Sequence, residues 1–312
     1  MYIKTLTRSL DFTYLKLTAK DSAEVKEEPN ADTDTITTSK ASLKYNGQSE
    51  TGASTFSYTD EAKNTYDFEF NLQYYNPSDG HGHNKEASGA YLFIPDMDDQ
   101  ASHLYSEFSS IKVTQGQFAS QFVIVYKDST STDVYQVIIR LKDYHLIIDS
   151  TDEKPIEFEV QMLEIPIIKQ GLIKKGREVV AKWKFDNIDN EDTFYTDSNA
   201  LEMQQRVIDS RPDFQLDTKG MNVTENYYPI NAAIAIRDAN RNVQATIMNH
   251  HSQGGGSIEK GTIELMQNRR LLHDDDKGVD QCLNETQSDG RGIAVNTKYW
   301  LTFNDLNNKK SI

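Results

Sequence analysis

Cysteine is nearly absent from this chain. Its 312 residues include one, Cys282, so no disulfide can form within it. No stretch is long and apolar enough to cross a membrane as a helix. Residues 1–20 also lack the continuous apolar core that a signal peptide requires. Basic residues are outnumbered, 33 against 48 acidic, for a net charge of -15. That balance argues against a nucleic-acid or anionic-membrane partner, since both favour a basic face. It suits a protein that works at low pH, where protonation relieves self-repulsion. Helical periodicity is scarce, and no repeat of fixed period is present. There is no local Ser-His-Asp signature and no phosphate-cradling Gly loop ahead of a helix.

What is there is mostly strand. Tyr66, Phe68, Phe70, Leu72 and Tyr74 alternate with Asp67, Glu69, Asn71 and Gln73, the period of a half-buried strand. The same reading covers Phe122 to Tyr126, Val134 to Leu141, Ile156 to Met162, Val179 to Phe185, Ala232 to Ile236, Val243 to Ile247 and Ile293 to Val295. Gly254, Gly255 and Gly256 suggest a tight, shaped loop ahead of a strand carrying Ile263 and Leu265. Leu201 to Ile208 predicts one short helix after a candidate N-cap, Ser198. Strands joined by polar turns argue an all-β fold, a large antiparallel sandwich over residues 40–312. Residues 19–39 are acidic and Ser/Thr-rich, which is linker composition, and Leu10 to Leu17 form a strand-like piece before them.

Candidate metal ligands are few. His81 and His83 lie two apart with Asp79 and Glu86 nearby, which could make a metal pair, but they sit in a Gly/Asn-rich loop. His250 and His251 are adjacent, so on a strand their rings diverge. Asp96 to Asp99 lacks the glycine and closing glutamate of a calcium loop. No metal site is expected in this chain. Asn222 and Asn284 head N-glycosylation sequons.

Five motifs stand in order: Ser88-Gly89-Ala90-Tyr91-Leu92-Phe93-Ile94-Pro95, Phe194-Tyr195-Thr196-Asp197-Ser198-Asn199, Asn226-Tyr227-Tyr228-Pro229, Ser252-Gln253-Gly254-Gly255, and Arg269-Arg270-Leu271-Leu272 followed by Asp274, Asp275 and Gly278. Together they resemble the C-terminal half of family 38 glycoside hydrolases, the α-mannosidases, and especially the lysosomal type. The resemblance implies a galactose-mutarotase-like supersandwich, preceded over residues 1–18 by the end of a small β-sandwich, and truncated at Ile312. It implies retaining hydrolysis of terminal α-mannose by two carboxylates and a zinc ion, all carried by an N-terminal catalytic half that these residues do not include. The implied partners are therefore that half and mannose-containing glycans, and the implied location is a lysosome or vacuole.

The same resemblance assigns roles to residues of this chain. Tyr91 would reach the mannose pocket of the catalytic half, the alternative being a core tyrosine with a satisfied hydroxyl. Arg269 or Arg270 would lie near the same pocket, with Arg270 slightly favoured; the alternative is an ion pair with Asp274 or Asp275. Asp197 and Asn199, with Tyr227 and Tyr228, are structural motif residues, Asp197 capping a turn or the short helix. The chain departs from the pattern at Val207-Ile208, at Ile94 and at His251, where arginines are usual. Competing readings are a stand-alone carbohydrate-binding or structural β module and an inactive gene fragment.

Overall fold

The computed structural model describes residues 34–81, 86–96, 101–116, 119–127, 134–148, 156–168, 176–213, 221–290 and 292–307. Leu10 to Leu17, His83 and residues 97–99 lie outside them. Eighteen strands run through the described residues. In chain order they are β1 (Thr35–Thr37), β2 (Ser42–Gln48), β3 (Ser54–Thr59), β4 (Thr65–Tyr75), β5 (His103–Leu104), β6 (Glu107–Thr114), β7 (Ala119–Lys127), β8 (Val134–Ile148) and β9 (Ile156–Ile168). Then follow β10 (Arg177–Lys184), β11 (Thr193–Ser198), β12 (Glu202–Val207), β13 (Tyr228–Ile230), β14 (Ala233–Asp238), β15 (Val243–Asn249), β16 (Gln253–Gly256), β17 (Thr262–Arg270) and β18 (Thr297–Asp305). One 3-10 turn, Thr224–Asn226, is the sole helical element among these residues.

The strands form two antiparallel sheets. The first has the order β1-β2-β3-β4-β10-β17-β16-β13, with β5 beside β4; the second has the order β12-β11-β14-β15-β18-β9-β8-β7-β6. Period-two sequence drives this. In β7 and β15 every second residue is buried, as expected where one face of a sheet meets the core. Phe68, Phe70, Leu72, Val179, Ala181, Trp183, Ile263 and Leu265 from the first sheet pack with Phe122, Ile124, Leu163, Ile165, Ile247 and Leu301 from the second in one core. Trp183 meets Tyr299 edge to face across it, at 5.0 Å.

Four expectations are corrected. Residues 201–208 are not a helix: Glu202–Val207 is the edge strand β12, paired with β11. Asn199 and Ala200 both adopt positive φ, and the Leu201 N–H closes a hairpin turn onto the Ser198 carbonyl at 2.9 Å. Good helix formers lose to that turn and to strand pairing, because tertiary context overrides propensity. The glycine run is not a loop but strand β16, lying between β13 and β17. A Cβ on Gly256 would stand 2.3 Å from the Asn226 carbonyl oxygen, so glycine serves close backbone approach there. Ile293 to Val295 form no strand; pairing resumes at Thr297, and Ile293 is exposed. Finally, β1 pairs with β2 from Thr35, so the sandwich begins inside the stretch read as linker.

Candidate functional site

The outer face of the first sheet is not solvated. On β10 the inward residues Val179, Ala181 and Trp183 alternate with Glu178, Val180 and Lys182. Val180, with Tyr75 and Val223, forms a second small core, against which Phe93, Tyr227, Ile258 and Met266 pack. Two segments therefore lie over this face, residues 86–96 and 221–227. Each is anchored by a buried carboxylate.

Glu178, on β10, is fully buried. Its Oε1 accepts from Arg269 Nε at 2.9 Å and Nη2 at 2.7 Å, and from the Ser88 hydroxyl at 2.9 Å. Arg269 Nη2 also donates to the Leu92 carbonyl at 2.5 Å. One ion pair between paired strands β10 and β17 thus grips both ends of the Ser88–Leu92 loop. Burial pushes the Glu178 carboxyl up from its ordinary value, and Arg269 and Ser88 oppose that. Glu178 Oε2 has no hydrogen-bond partner among the described residues. Glu264, on β17, is also fully buried. It accepts from the Tyr75 hydroxyl at 2.9 Å and the Tyr227 hydroxyl at 2.5 Å, with Lys182 Nζ at 3.9 Å. Burial raises its pKa too, opposed by Lys182 and the two phenols.

The Ser88–Leu92 loop has a third hold. Asp275 Oδ2 accepts the backbone N–H of Tyr91 at 2.6 Å and of Leu92 at 3.0 Å. Burial disfavours its charge, but these donors and the Lys277 N–H win and hold the carboxyl below the usual range. Gly89 permits the approach: a Cβ there would lie 2.6 Å from the Asp275 backbone nitrogen. From this pinned loop the Tyr91 side chain projects, 65% exposed. Within this chain it is not a core tyrosine.

The two arginines part company. Arg269 faces Glu178 and the loop, so its ion pair is with Glu178 rather than with Asp274 or Asp275. Arg270 turns toward the segment before β18, its guanidinium beside Gly292. Neither the Glu178 anchor nor the Glu264 anchor was singled out from the sequence. The available signal was Val180, an apolar residue on the face of β10 that alternation assigns to solvent.

The remaining motif residues serve the frame. Asp197 Oδ1 accepts the N–H groups of Asn231, Ala232 and Ala233, and its Oδ2 that of Ala200, at 2.7–3.1 Å. Burial opposes ionisation, yet these four donors keep its pKa below the ordinary value. Asp197 caps the β11–β12 turn, not a helix. Asn199 lies in that turn, its side chain 3.3 Å from Asn231. The Tyr228 ring lies between the guanidinium groups of Arg206 and Arg211, at 4.3 and 4.5 Å. Asn222 is exposed and Asn284 half-buried. Among the described residues, no group of three or more His, Cys, Asp or Glu could hold a metal ion. No helix there is long and apolar enough to cross a membrane.

Comparison with known proteins agrees with this geometry. Residues 41–277 match the glycosyl hydrolases family 38 C-terminal domain. The chain is 29% identical to lysosomal alpha-mannosidase of Dictyostelium discoideum over 233 residues, 75% of this chain and 20% of that protein. It is 32% identical to lysosomal alpha-mannosidase of Homo sapiens over 216 residues, 69% of this chain and 19% of that protein. An alpha-mannosidase structure from Enterococcus faecalis V583 shares the fold, with a TM-score of 0.57 at 14% identity over 90% of this chain and 30% of that one. The chain spans about a fifth of the length of these curated relatives. With a match that takes in most of its residues, the chain belongs to glycosyl hydrolase family 38, of which it carries the C-terminal domain.

Proposed function

We propose that this chain is the β domain of a lysosomal-type α-mannosidase and that it completes the mannose pocket of an N-terminal catalytic part. The observation that carries the reading is Tyr91, an exposed phenol on a loop whose backbone is fixed at three points. A side chain meant only to fill space would be buried; one on a rigid mount suits recognition, since ordering it at the moment of binding costs little. Its ring can pack on a sugar face while its hydroxyl exchanges a hydrogen bond with a sugar hydroxyl. In the assembled enzyme the catalytic part supplies the nucleophile, the acid and the zinc of retaining α-mannoside hydrolysis. The described residues do not fit a metal, so no step of this chain runs through one. Glu178 and Arg269 act on Tyr91 only by holding its loop. The names of the relatives support lysosomal or vacuolar work on glycans, and the acidic composition is compatible with it.

The test is Tyr91→Phe in this chain joined to a family 38 catalytic part. Loss of one hydrogen bond of about 1 kcal/mol should lower kcat/KM roughly fivefold, with the melting temperature unchanged. An unchanged kcat/KM with a lowered melting temperature would make Tyr91 a packing residue.

A further inference from the structure

A second concavity opens at the opposite end of β4 from the Tyr91 loop. Tyr75, at the C-terminal end of that strand, lies opposite Glu178. Thr65 and Tyr66, at its start, line a cavity of about 430 Å³. With about 3.3 Å per residue, the two regions stand roughly 30 Å apart along the strand. The cavity is formed by the β3–β4, β10–β11 and β14–β15 turns together with the end of β18. Its volume is within the range of small-ligand clefts.

The lining combines two chemistries. Tyr66 and Phe303 are stacked nearly parallel, with centroids 4.5 Å apart, and both line the opening. Around them stand the planar polar groups of Asn64, Asn187, Arg241 and Asp305. Aromatic carbon beside amide, guanidinium and carboxylate groups suits a molecule with apolar C–H faces and a rim of hydroxyls. A phosphate or other anion would instead meet Asp305 and Asp67 in the lining.

The walls are also fixed in place. Buried Asp238 accepts from the backbone N–H of Asp189 at 3.1 Å and of Arg241 at 2.9 Å, so one carboxylate ties two of the turns together. Asn64 is held through its backbone N–H by Asp60 at 2.8 Å. Asp305 accepts from the Asn242 amide at 2.5 Å and the Asn307 N–H at 2.7 Å. The Arg241 side chain, by contrast, is exposed and spends none of its donors on a partner among the described residues. A shaped cleft with an uncommitted donor fork is arranged for a ligand that brings acceptors.

We propose that this cleft is a second carbohydrate site, binding a neutral pyranose unit of a glycan independently of Tyr91. Such a site would hold one branch of a branched substrate while another is processed.

The experiment titrates the full chain with methyl α-mannoside and with an α-linked mannotriose, following binding by calorimetry and by saturation-transfer NMR. Saturable binding is expected, with Arg241→Ala and Asn187→Ala each weakening it by about tenfold, the loss of roughly one good hydrogen bond. Both side chains are exposed, so melting temperatures should match the parent chain. Tyr91→Ala should leave this affinity unchanged, which separates the cleft from the pocket proposed for Tyr91. Absence of saturable binding overturns the proposal. So does binding that Tyr91→Ala abolishes while Arg241→Ala spares it. Tighter binding of methyl α-glucuronide than of the neutral sugars would overturn the ligand class.

Discussion

Asp275 is the most informative residue to perturb, because a single carboxylate oxygen holds the two backbone N–H groups that orient Tyr91. Asp275→Asn keeps the shape and removes the charge. Hydrogen bonds to a charged acceptor contribute about 1.5–3 kcal/mol, against about 1 kcal/mol for neutral ones. Weakening two of them should cost the loop about 1.5–3 kcal/mol. Glu178 and Arg269 still grip its ends, so the cost should appear as local opening rather than global unfolding. At 1.4 kcal/mol per factor of ten, the Tyr91 and Leu92 amides should exchange with deuterium about 10- to 150-fold faster. Amides in the core strands should be unaffected. Asp274→Asn is the control: its Oδ2 accepts only from Asp276 within the same turn. Unchanged protection at Tyr91 and Leu92 would refute the view that Asp275 sets the mount.

Further outcomes follow from the same geometry. The purified chain should not cleave a chromogenic α-mannoside or hold stoichiometric zinc; turnover above a heat-killed control, or one tightly bound zinc per chain, would contradict the division of labour proposed above. Arg269→Met should destabilise by about 3–5 kcal/mol because it strands the Glu178 charge, whereas Arg269→Met with Glu178→Leu should recover most of the loss; equal losses in chemical denaturation would show that packing, not charge, dominates. The pH dependence has a definite sign. Glu178 and Glu264 have folded pKa values above 4.5, so their stabilisation is present below that pH and is lost as pH rises through the raised values. Asp197 and Asp275 lie below 3.8, so theirs is lost as pH falls through the lowered values. The melting temperature should thus be higher near pH about 5 than near about 7.5 and fall again in stronger acid, and Glu178→Gln should flatten the neutral limb. A melting temperature that climbs steadily from acid to alkaline pH would count against both buried glutamates.

The fold was legible because apolar residues at alternate positions leave little choice. Phe68, Phe70 and Leu72, or Val179, Ala181 and Trp183, can be buried together only on a strand, and they are. Positions where backbone conformation outweighs side-chain character were misread. Glu202 to Val207 has helix-forming composition, but two left-handed residues before it reverse the chain into a hairpin. The glycine run looked like a flexible loop because its purpose, room for the Asn226 carbonyl, involves a residue some thirty positions away. Tyr91 was visible through its motif. Its supports were not: Glu178 and Arg269 are 91 residues apart, and a carboxylate on the outward phase of a strand reads as solvated until the covering segment is known.

That covering segment changes how β10 should tolerate substitution. A strand with one face in water accepts almost any polar residue at every second position. Beneath residues 86–96 and 221–227, β10 has no such permissive face, for its outward side carries a buried ion pair, an apolar contact and the Lys182–Glu264 contact. A saturation library across Glu178 to Trp183 should therefore lose the two-residue rhythm its sequence displays and show continuous intolerance. In heredity as in packing, this strand behaves as the middle layer of three.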